Sequence, residues 1–217
     1  MIEHFEAAHR VLRDRVPSDD LVSIEDSPNV IYAIWPDGRL AYTNRAFREF
    51  AEVNGAASLL STWGVGRNVF DAMSGQVAEF YREHWAAVLA SGEPGQHTYE
   101  CSSREEFRLF HMTSHPLPGG LGLVLVVNSL AHVRAHDRVA RQAIEVRYRD
   151  ADGLILQCAN CRRVRDTESQ GAWHWIPDWV SKPPDLTSHG ICSICIGVYY
   201  SPRFLGHDTA RKATRKR

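Results

Sequence analysis

Four of the five cysteines in the 217-residue chain fall into two close pairs, Cys158 with Cys161 and Cys192 with Cys195. A CxxC turn places two thiolates on one side of a tight knuckle. Two facing knuckles supply four sulfur ligands in a tetrahedron, the geometry that zinc favours. In a reducing compartment such pairs point to metal before disulfide. Redox disulfides and unliganded buried thiols are the competing readings. Zinc leads among the metals, although a rubredoxin-like iron site or a [2Fe–2S] cluster uses the same four thiolates. His189 lies near enough to Cys192 to compete for a coordination position, but four cysteines already close the tetrahedron, so it is read as a supporting residue. A closed site offers no open position to a substrate. The expected metal is therefore structural, and its binding free energy is folding free energy for the module. Arg162, Arg163 and Arg165 flank the first knuckle. They either offset thiolate charge or simply face solvent.

Other chemistry is sparse. No Gly-rich phosphate loop, HExxH, GxSxG or kinase signature occurs, so no enzymatic activity is expected. Hydrophobic residues make up 44% and charged residues 24%, the balance of a soluble globular chain. A formal net charge of -1 gives no broad attraction to nucleic acid or to an anionic membrane. The exception is the terminal cluster Arg211, Lys212, Arg215, Lys216 and Arg217. It reads as a solvated tail in preference to a nucleic-acid contact. The most apolar run, residues 121–127, has the length of a strand and not of a membrane span. The N-terminus lacks a signal-peptide layout. A cytoplasmic protein without a membrane partner is expected.

The elements that must position the cysteines come next. Phe5, Ala8, Leu12 and Val16 recur at helical spacing, which predicts a helix over 3–16 ended by Pro17 and Ser18. Residues 30–35 are apolar, β-branched and aromatic. The Pro36-Asp37-Gly38-Arg39 turn then leads into a partner strand over 40–43. Asn44 caps a helix over 45–53 that Asn54-Gly55 stops, and Gly64 and Gly66 mark a loop. A longer helix over 76–90 carries Val77, Phe80, Tyr81, Trp85 and Val88 on one side. Strands are expected over 97–101, 107–115 and 121–130, the last two joined at Gly119-Gly120. Two strands, then helices, then three strands define an α+β unit: a five-stranded antiparallel sheet with helices on one face. Residues 129–149 read as one polar helix with a thin stripe of Val133, Ala140, Ala143 and Val146, a connector or half of a weak coiled coil. Between the two cysteine pairs, Trp173, Trp175, Ile176, Trp179 and Val180 supply a small core around the metal.

This series resembles the PAS fold over about residues 22–130. The resemblance rests on the Asp37-Gly38 turn, the Tyr42-Thr43-Asn44-Arg45-Ala46-Phe47 step and the Gly66-Arg67-Asn68-Val69-Phe70-Asp71 segment. The run from Cys158 to Arg165, the Trp173 to Val180 stretch and residues 188–195 are similar to a Cys-rich extension found after PAS or receiver domains in bacterial signalling proteins. Relatives commonly carry Pro after the third Cys, where this chain has Ser193. The resemblance implies a small-molecule cavity between sheet and helices, with Phe47, Phe50, Phe70, Trp85, Phe107 and Met112 as candidate lining. Plain core packing is the competing reading. A haem would need a proximal ligand such as His84, His97, His111 or His115, and these read instead as surface or hydrogen-bonded histidines. Cys101 sits in a predicted strand, outside the helical motif of a flavin adduct, and reads as a small buried apolar residue.

The expected division is an N-terminal helix (1–21), a PAS-like sensor (22–130), a connecting helix (131–152), a four-cysteine zinc module (153–205) and a basic disordered tail (206–217). The expected function is a non-enzymatic signalling protein with a small-molecule ligand and an unknown signalling partner, forming a homodimer through the helices at 3–16 and 129–149. A redox or metal sensor, in which the four-cysteine site is the detector, is the alternative. A nucleic-acid-binding regulator using the zinc module and tail is a third reading.

Overall fold

Val30, Ile31, Tyr32 and Ile34 are residue types that favour a pleated, half-buried strand. The turn after them needs positive φ, and Gly38 supplies it at φ 87. In the computed structural model of the chain, β1 (Val30–Ile34) and β2 (Leu40–Thr43) pair antiparallel, with Tyr32 opposite Thr43 and Ala33 opposite Tyr42. The structure describes residues 12, 16–53, 64–73, 75–117, 122–169 and 171–200. The expected helix over 3–16 (Leu12 and Val16 apart), the Asn54-Gly55 stop, the Gly119-Gly120 turn and the basic tail lie outside the described residues. The chain divides into two units. One comprises Met1–Thr98 with Arg108–Val133, and the other comprises Tyr99–Phe107 with Arg134–Arg217.

The first unit begins with α1 (Ser18–Asp26). Pro17 and Ser18, expected to end a helix, also mark the start of α1. Pro17 is the N-cap residue at φ -51, and Asp19 and Asp20 put negative charge against the positive end of the helix dipole. After the β1–β2 hairpin come α2 (Arg45–Val53), a 3-10 turn at Val69–Ala72 and the long α3 (Gly75–Ser91). Strands β3 (Gly95–Glu100), β4 (Glu106–Pro116) and β5 (Val124–Ala135) complete the sheet in the order β2-β1-β5-β4-β3. β5 runs antiparallel to β1, from Val30 opposite Asn128 to Ile34 opposite Val124. This is the expected α+β, PAS-like architecture.

Asn44 ties three of these elements together. It is fully buried. Its Oδ1 accepts from the Ile31 N–H and from the Phe47 N–H, both at 3.0 Å. Its Nδ2 donates to the Ile24 carbonyl at 3.1 Å and the Asn29 carbonyl at 2.9 Å. One amide thus caps α2, fixes β1 and holds the end of α1.

The helix expected over 129–149, and with it the connecting helix at 131–152, does not form. Residues 129–135 continue β5, residues 136–144 are irregular, and only Glu145–Tyr148 makes one helical turn, α4. The thin apolar stripe buries little as a helix. In extended form the same backbone finds hydrogen-bond partners: the His136 N–H meets the Glu105 carbonyl at 3.4 Å and the Arg141 N–H meets the Trp175 carbonyl at 2.8 Å. The dimer seam expected along that helix therefore loses its second member. The border expected at residue 130 also moves, because residues 99–107 and 134–152 belong with the cysteine unit.

In the second unit β6 (Ile155–Cys158), β7 (Val164–Arg165), β8 (Trp173–His174) and β9 (Thr187–Gly190) form a sheet in the order β8-β7-β6-β9. The short α5 (Asp178–Ser181) and α6 (Ser193–Cys195) complete it. Tyr148, Ile155, Val164, Ile176 and Trp179 form its core, with the Tyr148 and Trp179 rings edge to face at 5.3 Å. Asp166 is buried and receives Arg147 Nη2 at 2.7 Å.

Asn44→Ala leaves two N–H groups and three carbonyls, those of Ile24, Ser27 and Asn29, without their buried partner. The first unit is expected to lose about 2–4 kcal/mol of unfolding free energy, from the cap and the orphaned groups together. Chemical denaturation followed by Trp fluorescence checks this.

Candidate metal centre and ligand groove

The two CxxC segments meet because of a parallel pairing. β6 and β9 run side by side with Ile155 opposite Thr187 and Cys158 opposite Gly190, so both strands end at the same level. The Ala159 N–H donates to the Gly190 carbonyl at 2.8 Å, which extends the ladder into the first knuckle. There the Cys158 N–H reaches the Arg163 carbonyl at 2.8 Å and the Arg162 N–H returns to the Cys158 carbonyl at 3.0 Å. Arg162 takes φ 61 to close this tight turn. Cys192 caps α6, its Sγ accepting from the Cys195 N–H at 3.3 Å, and Cys158 Sγ accepts from the Cys192 N–H at 3.4 Å.

The four Sγ atoms lie within 4.8 Å of one another and all four residues are buried. Cys161 Sγ and Cys192 Sγ are 3.6 Å apart. No disulfide joins any of the five cysteines. A tetrahedron of sulfurs at about 2.3 Å from zinc has edges of about 3.8 Å, so the sulfur cage fits a metal of that size. Without a cation the thiols cannot ionise together. The Cys158 thiol is pulled far down by S–H donation from Cys161, then from Cys192 and Cys195. Cys192 and Cys195 are pushed up, first by their bonds to Cys158. Such mutual opposition is relieved by a dication at the centre. His189 is exposed on β9 and stands outside the grouped donors.

Arg138 is a residue that sequence reasoning missed. Its Nη1 donates to the Cys161 carbonyl at 2.6 Å, and its Nη2 pairs with Glu100 Oε1. The side chains of the pair are only 8% and 5% exposed. Ser102 Oγ also donates to Glu100, and the Ser102 N–H donates to the Asn160 carbonyl at 3.2 Å. Asn160 Nδ2 in turn meets the Tyr200 hydroxyl at 3.1 Å. Trp175 covers the Arg138 guanidinium, 5.0 Å from ring centroid to Cζ. The first knuckle is thus braced by residues from the β3–β4 connection and from the segment after β5. Of the three arginines expected beside the knuckle, Arg165 is turned to Asp150 at 3.5 Å.

In the first unit a groove of about 660 Å³ lies between the β1–β2 turn and α3. Phe70 and Trp85 line it, with centroids 5.6 Å apart. The other candidate lining residues lie elsewhere. Phe47 packs on Tyr32 at 5.9 Å, Phe50 packs on Phe110 at 5.9 Å, and Met112 is buried in the core. Phe107 belongs to the second unit, 4.7 Å beneath the Arg134 guanidinium. His84 is buried with Nε2 3.3 Å from Ser114 Oγ, and His111 Nδ1 is 3.2 Å from Thr98 Oγ1. Cys101, expected in a strand and buried, lies just past β3 and is half-buried.

No family model matches the chain, and no curated protein matches it. Solved structures similar to it include the phage VqmA–DPO complex, at 16% identity and a TM-score of 0.40 over 58% of this chain and 55% of that one. Others are the PAS domain of the Cronobacter turicensis quorum-sensing receptor RpfR in complex with BDSF (18%, 0.37, covering 50% and 99%) and the PAS domain of Bordetella pertussis BvgS (20%, 0.38, covering 52% and 85%). The PAS-like class of the first unit rests on its strand order and on the helices between β2 and β3. Among the described residues, no helix is long and apolar enough to cross a membrane.

Arg138→Met leaves Glu100 buried without its cation. It is expected to cost the second unit about 3–5 kcal/mol, whereas adding Glu100→Gln recovers most of that loss. A double-mutant cycle on thermal unfolding measures the coupling. Additive losses would show that the pair is not an energetic unit.

Proposed function

We propose that the chain is a non-enzymatic sensory protein in which a PAS-like unit with a small-molecule groove is read out through a zinc-stapled second unit. The observation that carries this reading is the path of the chain. Residues Tyr99–Phe107, which connect two strands of the PAS-like sheet, count with the cysteine unit, and there Glu100 and Ser102 brace the first knuckle. A change in β3 or β4 has a covalent route to the metal unit through these residues. The metal is the rigid part of that route. It holds Cys158, Cys161, Cys192 and Cys195 together and performs no chemistry on a substrate. Burial of all four sulfurs favours this structural role over a redox detector, whose thiolates need access to the oxidant.

Elemental analysis of anaerobically purified protein is expected to find one zinc per chain in a colourless sample. A red or brown sample would move the assignment to iron. Structural zinc in small peptides contributes about 10–16 kcal/mol at neutral pH, as much as or more than the whole stability of an ordinary domain. Chelation, or Cys161→Ser, is therefore expected to abolish the near-UV signal of Trp173, Trp175 and Trp179 while the first unit stays folded. An unchanged near-UV spectrum after complete metal removal would sink the structural role.

A further inference from the structure

We propose that the groove between the β1–β2 turn and α3 binds a planar, apolar monoanion of the aryl-carboxylate class, with Arg82 as its counter-ion. The proposal rests on the reading that the first unit senses a small molecule. Its volume of about 660 Å³ falls within the range of small-molecule sites. The walls are apolar and partly aromatic, with Trp35, Phe70 and Trp85 joined by Ile34, Leu89 and Val124.

Two charged residues line this surface, and they differ in their commitments. Asp37 is engaged: Arg39 Nε reaches its Oδ2 at 2.7 Å, and the Arg39 N–H donates to its Oδ1 at 3.1 Å. Arg82 makes no ion pair among the described residues. Its guanidinium lies over the Phe70 ring, with Cζ 4.2 Å from the centroid. Arg82 is exposed at the edge of the groove, and a cation held there against an aromatic face offers a planar fork of donors to a carboxylate. The aromatic walls favour a flat ring behind that carboxylate.

The groove is also preformed. A Cβ at Gly38 would stand 2.4 Å from the Phe70 ring, so the turn backbone and the ring are in close contact. Asn68 locks this arrangement, with Nδ2 donating to the Asp37 carbonyl at 2.8 Å and Oδ1 accepting from the Phe70 N–H at 3.0 Å. The Val69 N–H adds a bond to the Gly38 carbonyl at 2.9 Å. Arg82 therefore has a fixed ring to rest on, and little ordering is left to be done on binding.

The test titrates the full-length protein with 2-naphthoate, 2-naphthalenemethanol and 2-naphthylmethylammonium, followed by calorimetry and Trp fluorescence. 2-Naphthoate is expected to bind at least about tenfold more tightly than the alcohol, a difference of about 1.4 kcal/mol. Arg82→Gln is expected to bring 2-naphthoate to the level of the alcohol, and Arg82→Lys to restore part of the gap. Ala86→Trp, at an exposed lining position, is expected to block all three by filling the groove. Equal or tighter binding of the alcohol or the ammonium compound would overturn the anion class while leaving a small-molecule site. Naphthoate binding that ignores Arg82→Gln would overturn the counter-ion, and binding that ignores Ala86→Trp would overturn the location. No binding of any probe at about 1 mM would overturn the sensing reading together with the ligand class.

Discussion

The second unit depends on four sulfur atoms held within 4.8 Å of one another in a buried pocket. Its hydrophobic core is small, built around Tyr148, Ile155, Val164, Ile176 and Trp179. A core of that size does not ordinarily hold a fold against chain entropy, which costs about 1–2 kcal/mol per ordered residue. The parallel β6–β9 ladder cannot be closed by a short turn, because parallel strands need a long crossover. Residues 159–186 make that crossover, which begins in the first knuckle and ends at the start of β9. A metal between the knuckles would hold the ends of β6 and β9 together at the point where both strands finish. Fold and site meet at one place: without a cation the four sulfurs would oppose one another's ionisation where the sheet brings them together.

The Glu100–Arg138 pair adds a different kind of information. A buried ion pair contributes little net stability, because desolvating both charges offsets most of their attraction. Its effect is on specificity. A conformation that separated Glu100 from Arg138 would leave two uncompensated charges in a low-dielectric interior, so the tip of the β3–β4 hairpin has one permitted register against the knuckle. Arg138 then spends another donor on the Cys161 carbonyl, where the backbone turns back through Arg162 at φ 61. The ion pair ties the geometry of the knuckle to Glu100, within the same unit. Closeness alone would not do that, since loosely packed apolar residues can slide.

What the sequence disclosed follows the range of the interactions involved. Cys158 with Cys161 and Cys192 with Cys195 were legible because a knuckle is a local object whose spacing encodes its geometry. The β1–β2 hairpin was legible for the same reason, since its turn needs Gly38 and its strands need their β-branched residues. Asn44 was legible as a cap, through its contact with Phe47, but not as the clamp on Ile24 and Asn29, which lie 20 and 15 residues away. Arg138 carried no local signal at all. Its partners are 38 and 23 residues away, and only the fold brings them together. The candidate lining residues met the same limit. Aromatic spacing identified side chains that turn inward, but only Phe70 and Trp85 turn toward the groove.

The failure of the helix over 129–149 has a more specific cause. Helical periodicity was present there in Val133, Ala140, Ala143 and Val146, yet a stripe of two alanines and two valines buries too little area to offset ordering the chain. Valine also loses rotamer freedom in a helix and gains packing on a pleated surface. Val133 continues β5 with its side chain exposed, and Ala140 makes a bridge to Trp175. The extended path has a structural consequence that a helix would not. A helix satisfies its own backbone groups and could have swung as a free rod. An extended segment must bond to something else, and this one bonds to Glu105 in the β3–β4 connection and to Trp175 in the cysteine unit. The same backbone that leaves the PAS-like sheet is thereby committed to the unit that holds the sulfurs.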